Sequence, residues 1–441
     1  MTNSEPSTTE ALNPTAKDIL ALALPALGVL AATPLYLLLD TAVVGRLGAQ
    51  ALAGLAAGTT IQSVVTTQLT FLSYGTTARS ARKYGSGDTQ GAIAEGVQAT
   101  FVAIAVGITL AAIIAIGAPT FTLWLADDTD VAAVATHWLR IASLGIPLML
   151  CVMAGNGWLR GIQNTRLPLY FTLAGVIPSA ILVPILVSHL GVVGSAWANL
   201  IGVAITATCF ITYLARRHTG SWQPRLKVMG QQLILGRDLI LRSLSFQVAF
   251  LSAAAVAGRF GAASLGAHQV LLQLWNFLTL TLDSLAIAAQ ALTGAALGGA
   301  SAAAAKATGW KITRYSSLFS LAMAAILAAG YHVIPRIFTD DTSVLGIMST
   351  VWPLLVAMVI VGGVVFALDG VLLGASDVAF LRTATIASVI LGFLPGVWLA
   401  LITDSGLIGV WCGLMAMMLI RLIACLWRFR SGNWMREGTS V

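Results

Sequence analysis

The chain has 441 residues, 58% of them hydrophobic and 9% charged, with a formal net charge of +7. A water-soluble domain carries about 25% charge, so this composition excludes a soluble fold and requires a membrane. The basic excess sits mostly in short loops between apolar runs, where it signals topology rather than a nucleic-acid partner.

Residues 1–16 are polar, contain Pro6 and Pro14, and lack the basic start, apolar core and cleavage site of a signal peptide. They read as a disordered tail. A bilayer core about 30 Å thick needs about 20 apolar residues per helix. Twelve runs meet that need: 18–44, 51–77, 92–117, 132–156, 167–188, 192–214, 236–258, 264–292, 310–334, 346–370, 380–401 and 406–427. Such long continuous runs exclude a β-barrel, whose strands alternate over about ten residues. The expectation is an all-α integral membrane protein of twelve transmembrane helices. Residues 17–214 form an N-terminal six-helix lobe, 215–235 a cytoplasmic linker with Pro224 and four bases, 236–430 a C-terminal six-helix lobe, and 431–441 a tail.

Basic residues set the orientation. With the N-terminus inside, the inner connections hold Arg79, Arg82, Lys83, Arg160, Arg166, Arg216, Arg217, Arg225, Lys227, Lys306, Lys311, Arg314 and Arg382. The outer connections hold few bases and several acids: Asp127, Asp128, Asp130, Asp340, Asp341 and Asp404. Both termini are therefore expected in the cytoplasm, with the chain in the cell inner (plasma) membrane.

The two halves repeat at an offset of 213 residues. Gly45-Arg46-Leu47-Gly48-Ala49 recurs as Gly258-Arg259-Phe260-Gly261-Ala262, Asp127-Asp128 as Asp340-Asp341, Gly85 as Gly298 and Gly161 as Gly374. Because each half crosses six times, both copies share one orientation and a pseudo-twofold axis along the membrane normal. Many transporters are built this way.

An acid deep in the bilayer is costly and marks a candidate functional site. Asp40 ends the apolar run LGVLAATPLYLLLD, and apolar residues continue after it. Its span also carries Pro25 and Pro34, which remove backbone hydrogen bonds and permit bending. Asp40 is a candidate protonation switch; the competing reading is a cap at the outer interface. Asp369 lies in span 10, opposite Asn156 in the repeat, and is either a coupling acid or a polar anchor. Asp283 in span 8, opposite Thr70, is either a coupling acid or a helix–helix hydrogen-bonding group. Asn156, Ser179, Asn199 and Gln247 are candidates to line a polar cavity. Within spans the bases are few, and Arg140, Arg242 and Arg421 all fall near span ends. Cys151, Cys209, Cys412 and Cys425 lie in apolar runs without metal-ligand spacing, and His137, His268 and His332 form no cluster. No metal site or cofactor is expected. No HExxH, GxSxG or Walker loop occurs, so an enzyme is not expected. Uphill transport has to draw on an ion gradient, in which one charge across 100 mV supplies about 2.3 kcal/mol.

LLLDTAVVGRLGAQALAG (37–54), GNGWLRGIQNTRLPLY (155–170) and its repeat copy LDGVLLGASDVAFLRTA (368–384) resemble the MATE multidrug and toxic compound extrusion family. LDSLAIAAQALTG (282–294) leans toward its DinF-like branch. The resemblance covers nearly the whole chain. It implies two six-helix bundles arranged as a V around a central cavity. It also implies export of amphipathic, often cationic compounds in exchange for protons or sodium, by a monomer. It makes Asp40 the proton or sodium site, Asp369 a span-10 coupling acid and Pro25 the bending point of span 1. One departure stands out. Many members carry Asn and Asp four residues apart on span 5, where this chain has Ser179 and Val183. A sodium ion would lose a charged ligand there, whereas a proton needs only one acceptor. Proton coupling through Asp40 is thus the expectation. Sodium coupling, a flippase for lipid-linked substrates, a passive channel and a non-transport membrane protein are the alternatives.

Overall fold

The computed structural model describes residues 13–126 and 128–438. Most of the expected N-terminal tail, the outer acid Asp127 and the last three residues lie outside the described residues. Among those described, every regular element is a helix. In chain order they are α1 (Ala16–Gly45), α2 (Ala49–Leu69), α3 (Phe71–Gly85), α4 (Thr89–Leu125), α5 (Thr129–Ser143), α6 (Ile146–Gly161), α7 (Arg166–Leu190) and α8 (Val192–Arg217). The second half continues with α9 (Leu226–Arg259), α10 (Ala262–Gly298), α11 (Ala302–Ala329), the short α12 (Ile334–Phe338), α13 (Thr342–Gly374), α14 (Val378–Ser388), α15 (Leu394–Thr403) and α16 (Leu407–Ser431).

Each of the twelve apolar runs corresponds to one helix or one interrupted helix. Ten are long and apolar enough to cross a membrane by length and composition, taking α14–α15 as one, and the bent pair α5–α6 makes up to eleven. That pair bends by 46° where Gly145 and Pro147 open α6; proline has no N–H to continue the preceding turn. The run 51–77 breaks at Thr70. Its first part, α2, is rich in Thr and Gln, and α3 has only 15 residues and carries Arg79, Arg82 and Lys83, so neither is among the ten. A π turn, Val389–Phe393, joins α14 to α15. Pro395 follows it, and the wider turn accommodates a residue that cannot donate backward and would crowd the carbonyl four residues earlier.

The repeat is carried by the backbone even where the side chains differ. Left-handed residues occur in pairs 213 apart: Gly48 with Gly261, Gly87 with Ala300, and Gln163 with Ser376. Helix N-caps pair likewise. Asp128 caps α5 and Asp341 caps α13; Asp88 caps α4 and Ser301 caps α11. The offset then grows to 215, because Gly191 opens α8 and Gly406 opens α16 with the same conformation.

The chain divides into two compact units. Among the described residues, one is Leu24–Gly236; the other holds 237–438 together with 13–23. The division inside α1 falls two residues from Pro25. In the first unit, Trp158, Phe210, Ile93 and Val97 form a buried cluster, and Gly96 admits the Trp158 ring, since a Cβ there would lie 2.5 Å from Cδ1. In the second, Trp275, Trp352 and Trp411 pack with Met348, Leu355 and Met358.

The stretch 215–235 is not loop throughout. Helix α8 runs to Arg217, α9 starts at Leu226, and the irregular part between them is held to α4. Gln98 donates to the Gln223 carbonyl at 3.0 Å and accepts from the Arg225 N–H at 2.7 Å. Buried Glu95 accepts from Arg79 at 2.8 Å and from Gln232 at 3.3 Å.

Candidate functional site

On α1 the residues Ala32, Tyr36, Asp40 and Val44 are buried, while Leu35, Leu37, Leu38 and Leu39 are exposed. A four-residue period puts the buried set on one helix face. Asp40 therefore belongs to the inward stripe of a helix whose other faces suit lipid. It is 2% exposed.

The Asp40 carboxyl is held by a side-chain relay from two other helices. Ser195 on α8 donates its hydroxyl to Asp40 Oδ2 at 2.8 Å. Trp138 on α5 donates its indole N–H to the Ser195 oxygen at 3.2 Å. That donation leaves the serine proton free to point at the acid. The Trp138 ring fits against α2 because Gly58 has no side chain; a Cβ there would lie 2.5 Å from Cε3. Asp40 Oδ1 is buried and accepts no hydrogen bond from the protein. No described basic side chain forms an ion pair with Asp40. Tyr36 lies one helical turn before Asp40 on the same buried face, and its hydroxyl is buried without a hydrogen-bond partner.

Helices α7 and α8 approach closely through small residues, which is how membrane helices pack without large apolar side chains. A Cβ at Gly202 would lie 2.6 Å from the Ser179 Cβ, and one at Gly175 would collide with the Gly202 carbonyl and the Thr206 hydroxyl. This contact lets Ser179 donate to the Ala198 carbonyl at 2.8 Å. Val183, on the same helix, is fully buried, so no carboxylate stands at that position.

Asp369 lies in the other unit and has different company. It is 5% exposed. Its Oδ2 accepts from Arg242 of α9 at 2.6 Å and also from Arg421 of α16. The Cys425 thiol faces Oδ1 at 3.6 Å. The guanidinium carbons of Arg242 and Arg421 lie 5.4 and 4.5 Å from the centre of the Phe246 ring. Helix α9 begins ten residues before the apolar run, so Arg242 sits near the middle of the helix, and Arg421 is only 4% exposed.

The other candidates are dispersed. Asn156 is buried on α6, with its Oδ1 unbonded. Asp283 on α10, Asn199 on α8 and Gln247 on α9 are half-buried. Helix α1 runs on through Pro25 and Pro34. His268, fully buried, accepts the indole N–H of Trp411 at 3.1 Å. The four cysteines form no disulfide among the described residues. Ser195, Trp138 and Tyr36 are site residues that the sequence reading missed. Only Tyr36, four residues before Asp40, left a sequence signal.

Duplicated halves of membrane-length helices around buried polar groups define a multi-span transporter. The MatE family profile matches residues 25–185 and 239–398, one copy in each half. The chain belongs to this family of MATE transporters. It is 29% identical over 436 residues to Protein DETOXIFICATION 44, chloroplastic, of Arabidopsis thaliana, covering 95% of this chain and 83% of that one. It is 28% identical over 444 residues to DNA damage-inducible protein F of Escherichia coli strain K12, covering 95% and 94%. A solved MOP superfamily transporter from Pyrococcus furiosus superposes with a TM-score of 0.86 at 20% sequence identity, covering 99% of this chain and all of that one; it shares the fold.

Proposed function

We propose that the protein is a proton-coupled exporter of amphipathic compounds, cations among them, and that Asp40 carries the proton. The observation behind this reading is a buried carboxyl that is bonded to a single hydroxyl and has no cationic partner. A proton or a cationic solute compensates the same charge, so the two compete for it. Protonation makes Asp40 a donor in need of an acceptor. The Tyr36 hydroxyl, one helical turn away on the same face and without a hydrogen-bond partner, is the group that would turn to meet it. In this scheme the proton enters from outside, α1 flexes at Pro25, and the solute leaves outward; release of the proton to the inside resets the cycle.

Sodium coupling is the less favoured reading, because Ser179 and Val183 supply no second carboxylate. Asp369 is reassigned as well. Two guanidiniums already overcompensate its charge, which disfavours a cation there. We further propose that the protein works as a monomer in the plasma membrane with both termini in the cytoplasm. The test is solute-driven proton flux in sodium-free proteoliposomes. Asp40→Asn is expected to abolish coupling, and unchanged flux in that variant excludes the role given to Asp40.

A further inference from the structure

We propose that Arg242 and Arg421 form a binding site for an oxyanion, a carboxylate or phosphate group carried on an amphipathic molecule. The proposal deepens the exporter reading and rests on it for transport, though not for binding.

The two arginines carry more donors than the protein satisfies. A guanidinium offers five N–H groups in a planar fork that matches the two oxygens of an oxyanion. Both arginines share one oxygen of Asp369. Beyond that, Arg421 Nη1 reaches only the Met418 sulfur at 3.6 Å, a weak acceptor. Arg242 Nε is buried and donates to no protein acceptor. A pure clamp looks different: Arg428 meets Asp377 one to one, with two bonds at 2.6 and 3.1 Å.

Two cations face one anion, and among the described residues neither arginine pairs with another acid. An unmatched charge in apolar surroundings is costly, so a second anion is favoured here.

In the repeat, Arg242, Asp369 and Arg421 correspond to Val29, Asn156 and Thr206, using the 213 offset for the first two and the 215 offset for α16. The first half builds the matching helices from neutral residues. The scaffold therefore does not require the ions.

Access and shape complete the case. Arg421 and Asp369 are sealed, but the Arg242 side chain is 15% exposed, so the cluster opens on that side. Phe246 lies under both guanidiniums and fixes them without using an N–H. Its ring gives the apolar body of an amphiphile a surface beside the charge.

The test measures equilibrium binding of 1-naphthoate to the full chain in nonionic detergent, with 1-naphthylmethylammonium as the cationic control. Arg242→Gln is expected to weaken naphthoate binding at least tenfold without weakening the cation, and Arg242→Lys to retain part of it. Asp369→Asn, which installs the residue of the first half, is expected to strengthen naphthoate binding several-fold by removing the competing carboxylate. A merely structural ion cluster predicts the opposite for Asp369→Asn. Dioctanoylphosphatidylglycerol is then added as competitor. Arg242-dependent displacement assigns the site to a lipid headgroup, and its failure assigns the site to the transported solute; both support an oxyanion site. Naphthoate binding unchanged in Arg242→Gln, or lowered in a folded Asp369→Asn, overturns the proposal. So does a wild type that binds neither anion. Binding needs no gradient, so failure of Asp40-dependent coupling shows separately.

Discussion

A carboxyl group buried among apolar helices persists only when its charge is compensated or it takes up a proton, and Asp40 and Asp369, both buried, meet that condition differently. Asp369 is neutralised by arginines. Asp40 has a hydroxyl, backed by an indole. The relay makes Ser195 a positioning residue for Asp40. A hydrogen bond to a charged group contributes about 1.5 kcal/mol at the low end, so Ser195→Ala should slow coupled transport about tenfold. Ser195→Thr keeps the hydroxyl and should retain most of the rate. Transport that is equal in Ser195→Ala and wild type would show that the relay is idle. Asp40 itself was legible because a carboxyl with apolar residues on both sides of it in the chain has to lie within the span or at its rim. Its partner was not, since 155 residues separate Ser195 from Asp40 and only tertiary packing joins them. The pairing of Asp369 was hidden for the same reason, its arginines lying 127 and 52 residues away.

At the scale of elements, the helix ends carry the repeat most faithfully. Ala300 and Ser376 have φ of 56° and 60°, a conformation that costs a non-glycine residue about 1–2 kcal/mol. Ala300 stands where the first half has Gly87. Ala300→Gly should therefore raise the thermal midpoint, gaining about 1 kcal/mol, whereas Gly87→Ala should lower it; differential scanning fluorimetry reads both. The cap of α13 makes a pH-dependent prediction. Hydrogen bonds from the Ser343 N–H and hydroxyl hold the Asp341 carboxyl below the usual carboxylate range. A lowered value means stability that is present above the ordinary pKa of 3.8 and lost as the pH falls through the folded one. Asp341→Ala should thus melt lower than wild type at pH 7, and the gap should close in acid. At the α7–α8 contact, Gly175→Ala forces two backbones apart and should cost about 1–3 kcal/mol, displacing Ser179 as well. Helix positions were readable from apolar runs. The break at Thr70, the 46° bend and the ten extra residues of α9 were not. Those depend on whether a polar stretch finds partners, as Gln232 does on Glu95.

For the whole molecule, one backbone plan serves two chemistries. The first half offers a buried acid without a base, the second a buried acid with one base too many. The 213-residue offset predicted where equivalence fails at Asp40 and Asp369, but not that the surroundings differ with them. Asp40 corresponds to Ala253, and Ser195 and Trp138 correspond to Val410 and Val351, all three apolar and fully buried in the second core. An acid transplanted to position 253 meets no donor there. Ala253→Asp should cost about 3 kcal/mol or more, as for an unpaired charge placed in an apolar interior. Adding Val410→Ser supplies a hydroxyl at the place of Ser195 and should recover about 1 kcal/mol of that loss. Combined with Asp40→Asn, neither variant should restore proton flux, because Val351 stands where Trp138 backs the serine and the relay stays incomplete. Thermal midpoints of the single and double variants check the packing claim. A double variant no more stable than Ala253→Asp alone would mean that the shared backbone does not bring positions 253 and 410 together as it brings Asp40 and Ser195.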